Sequence, residues 1–389
     1  MSLRPPTAPR VDRLGSLLGV TALAALVAMP FVDFKANRIA SGAARSLGEA
    51  LPVTSALTVG AIVAAVAAIA VLVTNARVRL FAAVVGIVVV GLAVAAAADA
   101  LTPPGNRIVR VSPGIGCWVL LIAIALLGTD ALARLRPGPA ARVACLALTA
   151  AALYAGFAHG TFDNLSVMRE YAVNASSFGR EARQHVLLAL GSLGGAVIVG
   201  LPLGILCHRV ARLRGAILQI LNLIQTIPSI ALFGILMVPL GALASAVPLA
   251  AALGVSGIGA APAVVALFLY ALLPVVANTT VGLGRVSPGV VDAARGMGLT
   301  SRQVLLQIEL PLALPVIVTG IRIVLVQNIG LVTIAALIGG GGFGTFVFQG
   351  VGQTAIDLVL LGAIPTVALA FSSAVVLDAV VDALNRTTS

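Results

Sequence analysis

A polar stretch at residues 292–311, DAARGMGLTSRQVLLQIELP, lies between two long apolar runs. Just before it, Ser287 followed by Pro288 is typical of a helix start, and Gly298 suits the left-handed turn that ends a helix. These residue types cap helices and make surface contacts. They do not form an acid–base pair or a metal-ligand set, so the stretch points to contact with other groups rather than to bond-making chemistry.

A second helix is predicted to start immediately after this turn. Thr300, with Gln303 three residues later, forms a capping box, and Pro311 is predicted to end the helix. One face of the helix is apolar at helical spacing, formed by Leu299, Val304, Leu305 and Ile308. The sequence therefore predicts two short helices at a membrane surface.

This segment resembles the signature loop of permease subunits of ATP-binding-cassette importers, whose pattern is E-A-A, three residues, Gly, nine residues, I-x-L-P. The resemblance implies that the coupling loop, residues 285–312, docks in a groove of a cytoplasmic ATPase. An ordinary amphipathic interfacial loop is the alternative, but it would not explain the spacing. The one departure is Asp292, which stands where the family has glutamate. The candidate ATPase-coupling residues are Asp292, Ala293, Ala294, Gly298, Leu305, Ile308, Leu310 and Pro311.

Composition predicts an all-α polytopic membrane protein. Sixty per cent of the 389 residues are hydrophobic, 10% are charged, and the mean hydropathy is +1.13. A hydrocarbon core needs about 20 apolar residues per helix, and about ten stretches meet that requirement. The predicted spans are residues 14–32, 53–73, 80–98, 115–133, 143–158, 184–207, 215–238, 260–281, 313–337 and 356–378.

The distribution of cations favours one orientation in the inner membrane. With the coupling loop in the cytoplasm, fifteen of the 24 lysines and arginines fall in cytoplasmic segments and eight in external ones; Arg322 lies inside a span. Both termini are then cytoplasmic. The arginines that give the net charge of +11 lie in short segments between apolar runs, where this bias is the ordinary reason for them. The charge therefore does not indicate nucleic-acid binding. Residues 239–259 are apolar but broken by Pro248 and glycines, which favours an interfacial or re-entrant segment.

The chain is predicted to divide into three parts. Residues 1–158 form an N-terminal five-helix membrane region without a readable motif, which could be structural, regulatory or bracing. Residues 159–183 are a polar external linker. Residues 184–389 carry the resemblance to the permeases, and this part is expected to have the type I importer fold, the MetI-like fold.

Within the C-terminal part, several segments look like permeases of osmoprotectant uptake systems, which import glycine betaine, choline and related quaternary ammonium solutes. These segments include QTIPSIALFGIL at 225–236 and GIRIVLVQNIGLVTIAALIGGGGFG at 320–344. The resemblance implies four kinds of partner: cytoplasmic ABC ATPase subunits, a second permease that is identical or homologous, an external solute-binding protein, and membrane lipid. The particular osmolyte is left open.

Polar groups inside apolar spans need partners, and some could line a translocation pathway. Pro228 could kink its span as part of a gate or simply pack against a neighbouring helix. Arg322 could line the pathway, bond to a neighbouring helix or lie near the inner interface; as a cation it would repel a quaternary ammonium group. The candidate pathway residues are Gln225, Pro228, Ser229, Asn278, Arg322, Gln327 and Asn328.

Several motifs are missing from the sequence. The single lysine, Lys35, is followed by alanine, so no phosphate-binding loop exists, and the resemblance implies that a partner ATPase binds the ATP. No cofactor is expected in this chain. No metal-ligand spacing or nucleophile arrangement is evident, which argues against an enzyme. Two alternatives are left open: an ion-gradient-driven secondary transporter of ten helices in two five-helix repeats, although no internal repeat is apparent, and a non-transporting membrane scaffold.

Overall fold

The computed structural model describes residues 12–38 and 40–388, and nearly all regular structure in it is helical. The helices are α1 (Arg13–Ala28), α2 (Leu47–Ala50), α3 (Val53–Leu72), α4 (Ala76–Leu101), α5 (Ile115–Leu135), α6 (Pro139–Ala158), α7 (Ser166–Arg209), α8 (Ala211–Thr226), α9 (Ser229–Ala246), α10 (Pro248–Ala252), α11 (Ala260–Gly284), α12 (Pro288–Gly296), α13 (Ser301–Gln303), α14 (Leu310–Ala335), α15 (Gly344–Gly352) and α16 (Ile356–Thr388). A π-helical segment, Val304–Glu309, joins α13 to α14, and a 3₁₀ turn, Ala336–Ile338, follows α14. The strands are β1 (Val32–Lys35), β2 (Ala43–Arg45) and β3 (Arg110–Pro113).

Among the described residues, nine helical stretches are long and apolar enough to cross a membrane, judged by length and composition. They are α3, α4, α5, α6, α7, α9, α11, the continuous stretch Ser301–Ile338, and α16. The first predicted span corresponds to α1, which is apolar but has only 16 residues. The prediction of an all-α protein with about ten spans is confirmed.

The predicted span 215–238 is wrong as a single helix. It is divided between α8 and α9, because Ile227 and Pro228 take extended backbone angles between them. A proline disfavours the helical conformation of the residue before it and lacks an amide donor. Pro228 therefore separates two helices rather than kinking one, and the span-length helix is α9.

Pro311 does not end the second helix of the coupling loop, contrary to the prediction. The chain stays helical from Ser301 to Ile338, with the π segment directly before α14. Pro311 lies in the first turn of α14, directly after the π segment, where the hydrogen-bond register of the helix changes and its missing amide donor is accommodated. The coupling loop is consequently continuous with the transmembrane helix that follows it.

Two other predicted segments contain more helix than the sequence suggested. Residues 239–246 belong to α9, and after α10 the chain is largely non-helical up to Gly259, so 239–259 holds no separate span-length helix. Within the predicted linker, residues 166–183 form the first part of α7. The three predicted domain boundaries stay predictions.

Contacts divide the chain into two compact units, and the first contains residues up to Pro137 together with Thr149–Val173. Its core packs α1, α3, α4 and α5 through small buried side chains such as Val63, Val90 and Ala97. Small residues let apolar helices approach closely. The three strands form a sheet of order β2-β1-β3, with both pairs antiparallel.

An ionic cluster joins the N-cap of α1 to α4 and α5 in this unit. Arg79 is fully buried, and its guanidinium donates to Asp12 at 2.6 Å and to Asp130 at 3.1 Å. Arg134 pairs with the same two carboxylates at 2.6 and 2.9 Å. The hydrogen bond from the Gly15 backbone N–H, together with both arginines and against the opposing effect of burial, lowers the pKa of Asp12 to about 2. The two positive and two negative charges therefore compensate each other near neutral pH.

The second unit contains Gly138–Leu148 and the residues from Asn174 onward. Its cores form where α7, α8, α9, α11 and α14 meet, around residues such as Phe233, Leu267 and Val324. The helices α11 and α14 are among the most extensively packed pairs, and α16 packs against α14 and α15. This unit contains the whole coupling loop and every candidate pathway residue.

Candidate functional site

The first helix of the coupling loop, α12, begins and ends as its sequence predicts. Ser287 is the N-cap and Pro288 occupies the first helical position. Gly298 has φ +87°, and its N–H bonds to the Arg295 carbonyl at 2.9 Å. Left-handed angles of this kind favour glycine, so the end of α12 depends on the residue type at position 298.

One face of α12 is buried against the chain and the opposite face is open. Ala294 is 1% exposed, and its carbonyl accepts the Leu299 N–H at 3.2 Å. Asp292 and Ala293 are exposed, and Met297, the C-cap residue directly after α12, is 73% exposed. Of the first three residues of the motif, Ala294 therefore packs α12 against the chain, whereas Asp292 and Ala293 are accessible to a partner.

The second helix of the coupling loop opens with the predicted capping box. The Thr300 hydroxyl accepts the Gln303 N–H, and the Gln303 side chain accepts the Thr300 N–H at 2.8 Å. Leu305 and Leu310 pack inward against a cluster formed by Leu283, Ala313 and Ile317. Ile308 is half-buried and Pro311 is exposed. The candidate coupling residues therefore lie in one segment. Some of them pack against the rest of the chain, and the others are exposed.

Glu309 lies in the same coupling loop, and the sequence did not predict a role for it. It is 2% exposed and forms an ion pair with Arg209, the last residue of α7. The only signal in the sequence was its place as the variable residue of the I-x-L-P pattern, which gives no indication of a partner 100 residues away.

The candidate pathway residues do not gather into one site among the described residues. Gln225 donates to the Tyr270 carbonyl of α11 at 2.7 Å, and Asn328 donates to the Ser192 hydroxyl of α7 at 2.9 Å. Asn278 donates within its own helix. Pro228 is exposed, whereas Ser229 and Gln327 are half-buried. These polar groups bond to different helices, and their pathway role stays a prediction.

Arg322 forms an ion pair with Asp378 of α16. Both side chains are partly exposed, at 30% and 43%. Of the three interpretations that the sequence left open, this contact fits a bond to a neighbouring helix. The carboxylate also compensates the charge that would otherwise repel a cationic solute.

The close contact between α11 and α14 predicts the effect of one substitution. A Cβ at position 320 would lie 2.6 Å from the Asn278 Cβ, so Gly320→Val should push the two helices apart. We expect a loss of about 1–3 kcal/mol of stability, seen as a lower denaturation midpoint of the purified chain. Gly330 in the same helix has no neighbour within 4 Å of a built Cβ, so Gly330→Val is the control; equal midpoints for the two variants would contradict the prediction.

Side chains of α7 in the second unit form a clamp that holds the glycine-rich turn 339–344. The Glu181 carboxylate accepts the Gly342 N–H at 2.8 Å, and the Gln184 amide donates to the Gly340 carbonyl at 3.1 Å. His185 is fully buried; its Nδ1 accepts the Phe343 N–H at 3.2 Å and its Nε2 faces the Ile329 carbonyl at 3.0 Å. The turn is therefore held by side chains on a single helix face.

Comparison with known proteins shows what kind of membrane protein has this arrangement. Residues 200–389 match the family described as binding-protein-dependent transport system inner membrane component, and residues 12–168 match the N-terminal domain of the ABC transporter permease YehY. The chain is 44% identical over 191 residues to the osmoprotectant import permease protein OsmW of Salmonella typhimurium, covering 49% of this chain and 84% of that protein. The chain belongs to the binding-protein-dependent permease family.

A second curated relative of this permease agrees with that assignment. It is 37% identical over 220 residues to the glycine betaine/carnitine/choline transport system permease protein OpuCD of Bacillus subtilis, covering 56% of this chain and 87% of that protein. A chain of the inward-facing methionine ABC transporter MetNI superimposes with a TM-score of 0.43 at 24% identity, covering 53% of this chain and 95% of that chain. The sequence resemblance to importer permeases is confirmed, and the permease is a multi-pass inner-membrane protein. The ion-gradient-driven alternative gains no support from these matches.

Proposed function

We propose that this chain is the membrane subunit through which an ATP-driven importer carries osmoprotectants such as glycine betaine, choline or carnitine. The proposal rests mainly on the exposed outer face of α12. The rest of this family motif packs against the protein, so the outer face is the part that is open to a partner. The substrate class is supported by relatives named for osmoprotectant, glycine betaine, carnitine and choline transport. The binding protein, rather than this chain, is expected to choose among these solutes.

The proposed assembly pairs this chain with a second permease, identical or homologous, and with two cytoplasmic ATPase subunits. An external solute-binding protein delivers the solute. ATP is bound by the ATPases, and this chain needs no cofactor of its own. Closure of the ATPase pair would move both α12 helices and switch the membrane helices from inward-facing to outward-facing.

The proposed orientation places the coupling loop and both termini in the cytoplasm. The bias of arginines toward the cytoplasmic segments supports it. Two of the counted cations, Arg4 and Arg10, lie outside the described residues. On this orientation the clamp on turn 339–344 faces outward. We assign residues 1–158 to a separate membrane region, 159–183 to its linker and 184–389 to the transport unit.

Uptake of radiolabelled glycine betaine into proteoliposomes tests the proposal. The vesicles contain the purified chain, its ATPase and its binding protein, with or without ATP on the ATPase side. We expect uptake that requires ATP and both partners and that survives an ionophore. Uptake by the chain alone that collapses with ionophore would contradict the proposal. A positive result with this chain as the sole permease would show that two identical copies suffice.

A further inference from the structure

The ion pair between Arg209 and Glu309 joins the end of α7 to the π segment of the coupling loop. The Glu309 side chain is 3% exposed, whereas that of Arg209 is 35% exposed. Apart from Glu309, the coupling loop contains a single acid, Asp292, which is exposed. A carboxylate buried to this extent needs a charged or hydrogen-bonding partner, so Glu309 depends on Arg209 to hold its place.

Apolar contacts continue this junction along α7. Leu201 and Ile205 precede Arg209 at intervals of four residues, which places all three on one face of the helix. Leu201 and Ile205 pack against the same buried cluster of Leu283, Ala313 and Ile317 that Leu305 and Leu310 of the coupling loop contact. The face of α7 that meets the loop therefore has an apolar strip that ends in the ion pair.

The same segment of the coupling loop carries α12. One side of α12 is buried at Ala294, and α12 and the π segment are in contact. π-Helical turns are rare and occur preferentially at functional sites. A force on the outer face of α12 would therefore reach the π segment first, and Glu309 is the last residue of that segment.

Further toward its N-terminus, α7 also holds the glycine-rich turn 339–344. Glu181 and His185 bond to Gly342 and Phe343, and 28 residues of continuous helix separate Glu181 from Arg209. This distance is about 42 Å along a straight helix. Helix α7 therefore contacts the coupling loop at its C-terminal end. It contacts the turn after α14 about seven helical turns earlier in the chain.

We propose that the Arg209–Glu309 ion pair is the positioning element that transmits displacement of the coupling loop to α7. This inference rests on the proposed function. Neither residue contacts ATP or solute. In their absence α12 would still dock and ATP would still be hydrolysed, but α7 would no longer follow the loop, so solute import per ATP would fall.

The test measures the ratio of solute imported to ATP hydrolysed in proteoliposomes of the complete transporter. Glu309→Gln should lower this ratio about fivefold or more, because loss of a coupling interaction typically has that scale. Arg209→Lys, which keeps the charge, should stay within about twofold of the wild type. The double variant Arg209→Gln with Glu309→Gln should lose no more than the single variant, since the two residues act as one pair.

Asp382→Asn is the matched control, because it breaks another inter-helix ion pair of the same unit, with Arg142, away from the coupling loop. Its ratio should equal that of the wild type. A merely structural role would reduce the amount of assembled transporter without changing the ratio. If Glu309→Gln does not assemble, the double variant, which leaves no unpaired buried charge, takes its place.

A wild-type ratio in Glu309→Gln, or in the double variant that replaces it, would overturn the inference while leaving the proposed function intact. Absence of partner-dependent import in the wild type would instead overturn the proposed function, and the inference would fall with it. The two failures are therefore distinguished by the wild-type sample alone.

Discussion

Gly298→Pro is expected to abolish ATP-driven uptake while leaving the chain inserted and the partner ATPase able to hydrolyse ATP. Proline fixes φ near −65°, whereas position 298 has φ +87°, and the substitution also removes the N–H that bonds to Arg295. The turn after α12 would have to rearrange, so α12 would lose the packing contacts that bury Ala294. Uptake and ATP hydrolysis are measured in the same proteoliposomes.

Gly284→Ala is the control for this variant. Gly284 ends α11 just before the coupling loop, has no positive φ and has no neighbour within 4 Å of a built Cβ. Its uptake should match that of the wild type. Gly298→Ala should give an intermediate result, because a left-handed residue with a side chain costs about 1–2 kcal/mol. Full uptake by Gly298→Pro would show that the turn plays no part in coupling.

Arg79→Gln is expected to cost the N-terminal unit about 3–5 kcal/mol of stability, the usual scale for removing one partner of a buried ion pair. The substitution withdraws the guanidinium that bonds Asp12 and Asp130 and also donates to the Ala70 carbonyl at 2.9 Å. Arg134 remains to neutralise part of the acidic charge. The denaturation midpoint should therefore fall without complete loss of the folded protein.

Trp118 is a convenient reporter for this measurement, because it is the only tryptophan of the chain and lies in α5 of the same unit. Thermal unfolding of the purified chain is followed by its fluorescence. Arg77→Gln, the same change at an exposed position two residues earlier in α4, should leave the midpoint unchanged. Identical midpoints for the two variants would mean that the ionic cluster contributes nothing to stability.

Local rules predicted the start and end of α12 and the start of the helix after it. The Ser287–Pro288 start, the Gly298 turn and the Thr300–Gln303 capping box each depend on residues within four positions of one another. Such short-range patterns are visible in a sequence because the backbone geometry they require is local. The spacing of the same residues also carried the family resemblance, which the comparisons confirm.

Features that depend on distant residues could not be predicted in this way. Glu309 became interpretable only when the fold brought it to Arg209, and Arg322 only when α16 placed Asp378 beside it. Nor could the clamp from Glu181 be predicted, since its partners lie more than 160 residues away.

The two wrong predictions about proline have a common physical reason. Sequence indicates that a proline disturbs a helix, but the neighbouring backbone decides how. At Pro228 the preceding residue is extended and the helix stops; at Pro311 the preceding residues are helical, in a π segment, and the helix continues. Both outcomes are compatible with the missing amide donor.

The central claim is that the outer face of α12 contacts the ATPase, and site-directed cross-linking tests it most directly. Met297→Cys, labelled with a benzophenone in a Cys145→Ser background, places a reactive group at the exposed C-terminal end of α12; Cys117 and Cys207 are buried. Val238→Cys, 77% exposed on α9, is the control. We expect a cross-link to the ATPase from position 297 and none from position 238. Transport-competent vesicles that give no ATPase cross-link from position 297 would contradict the account.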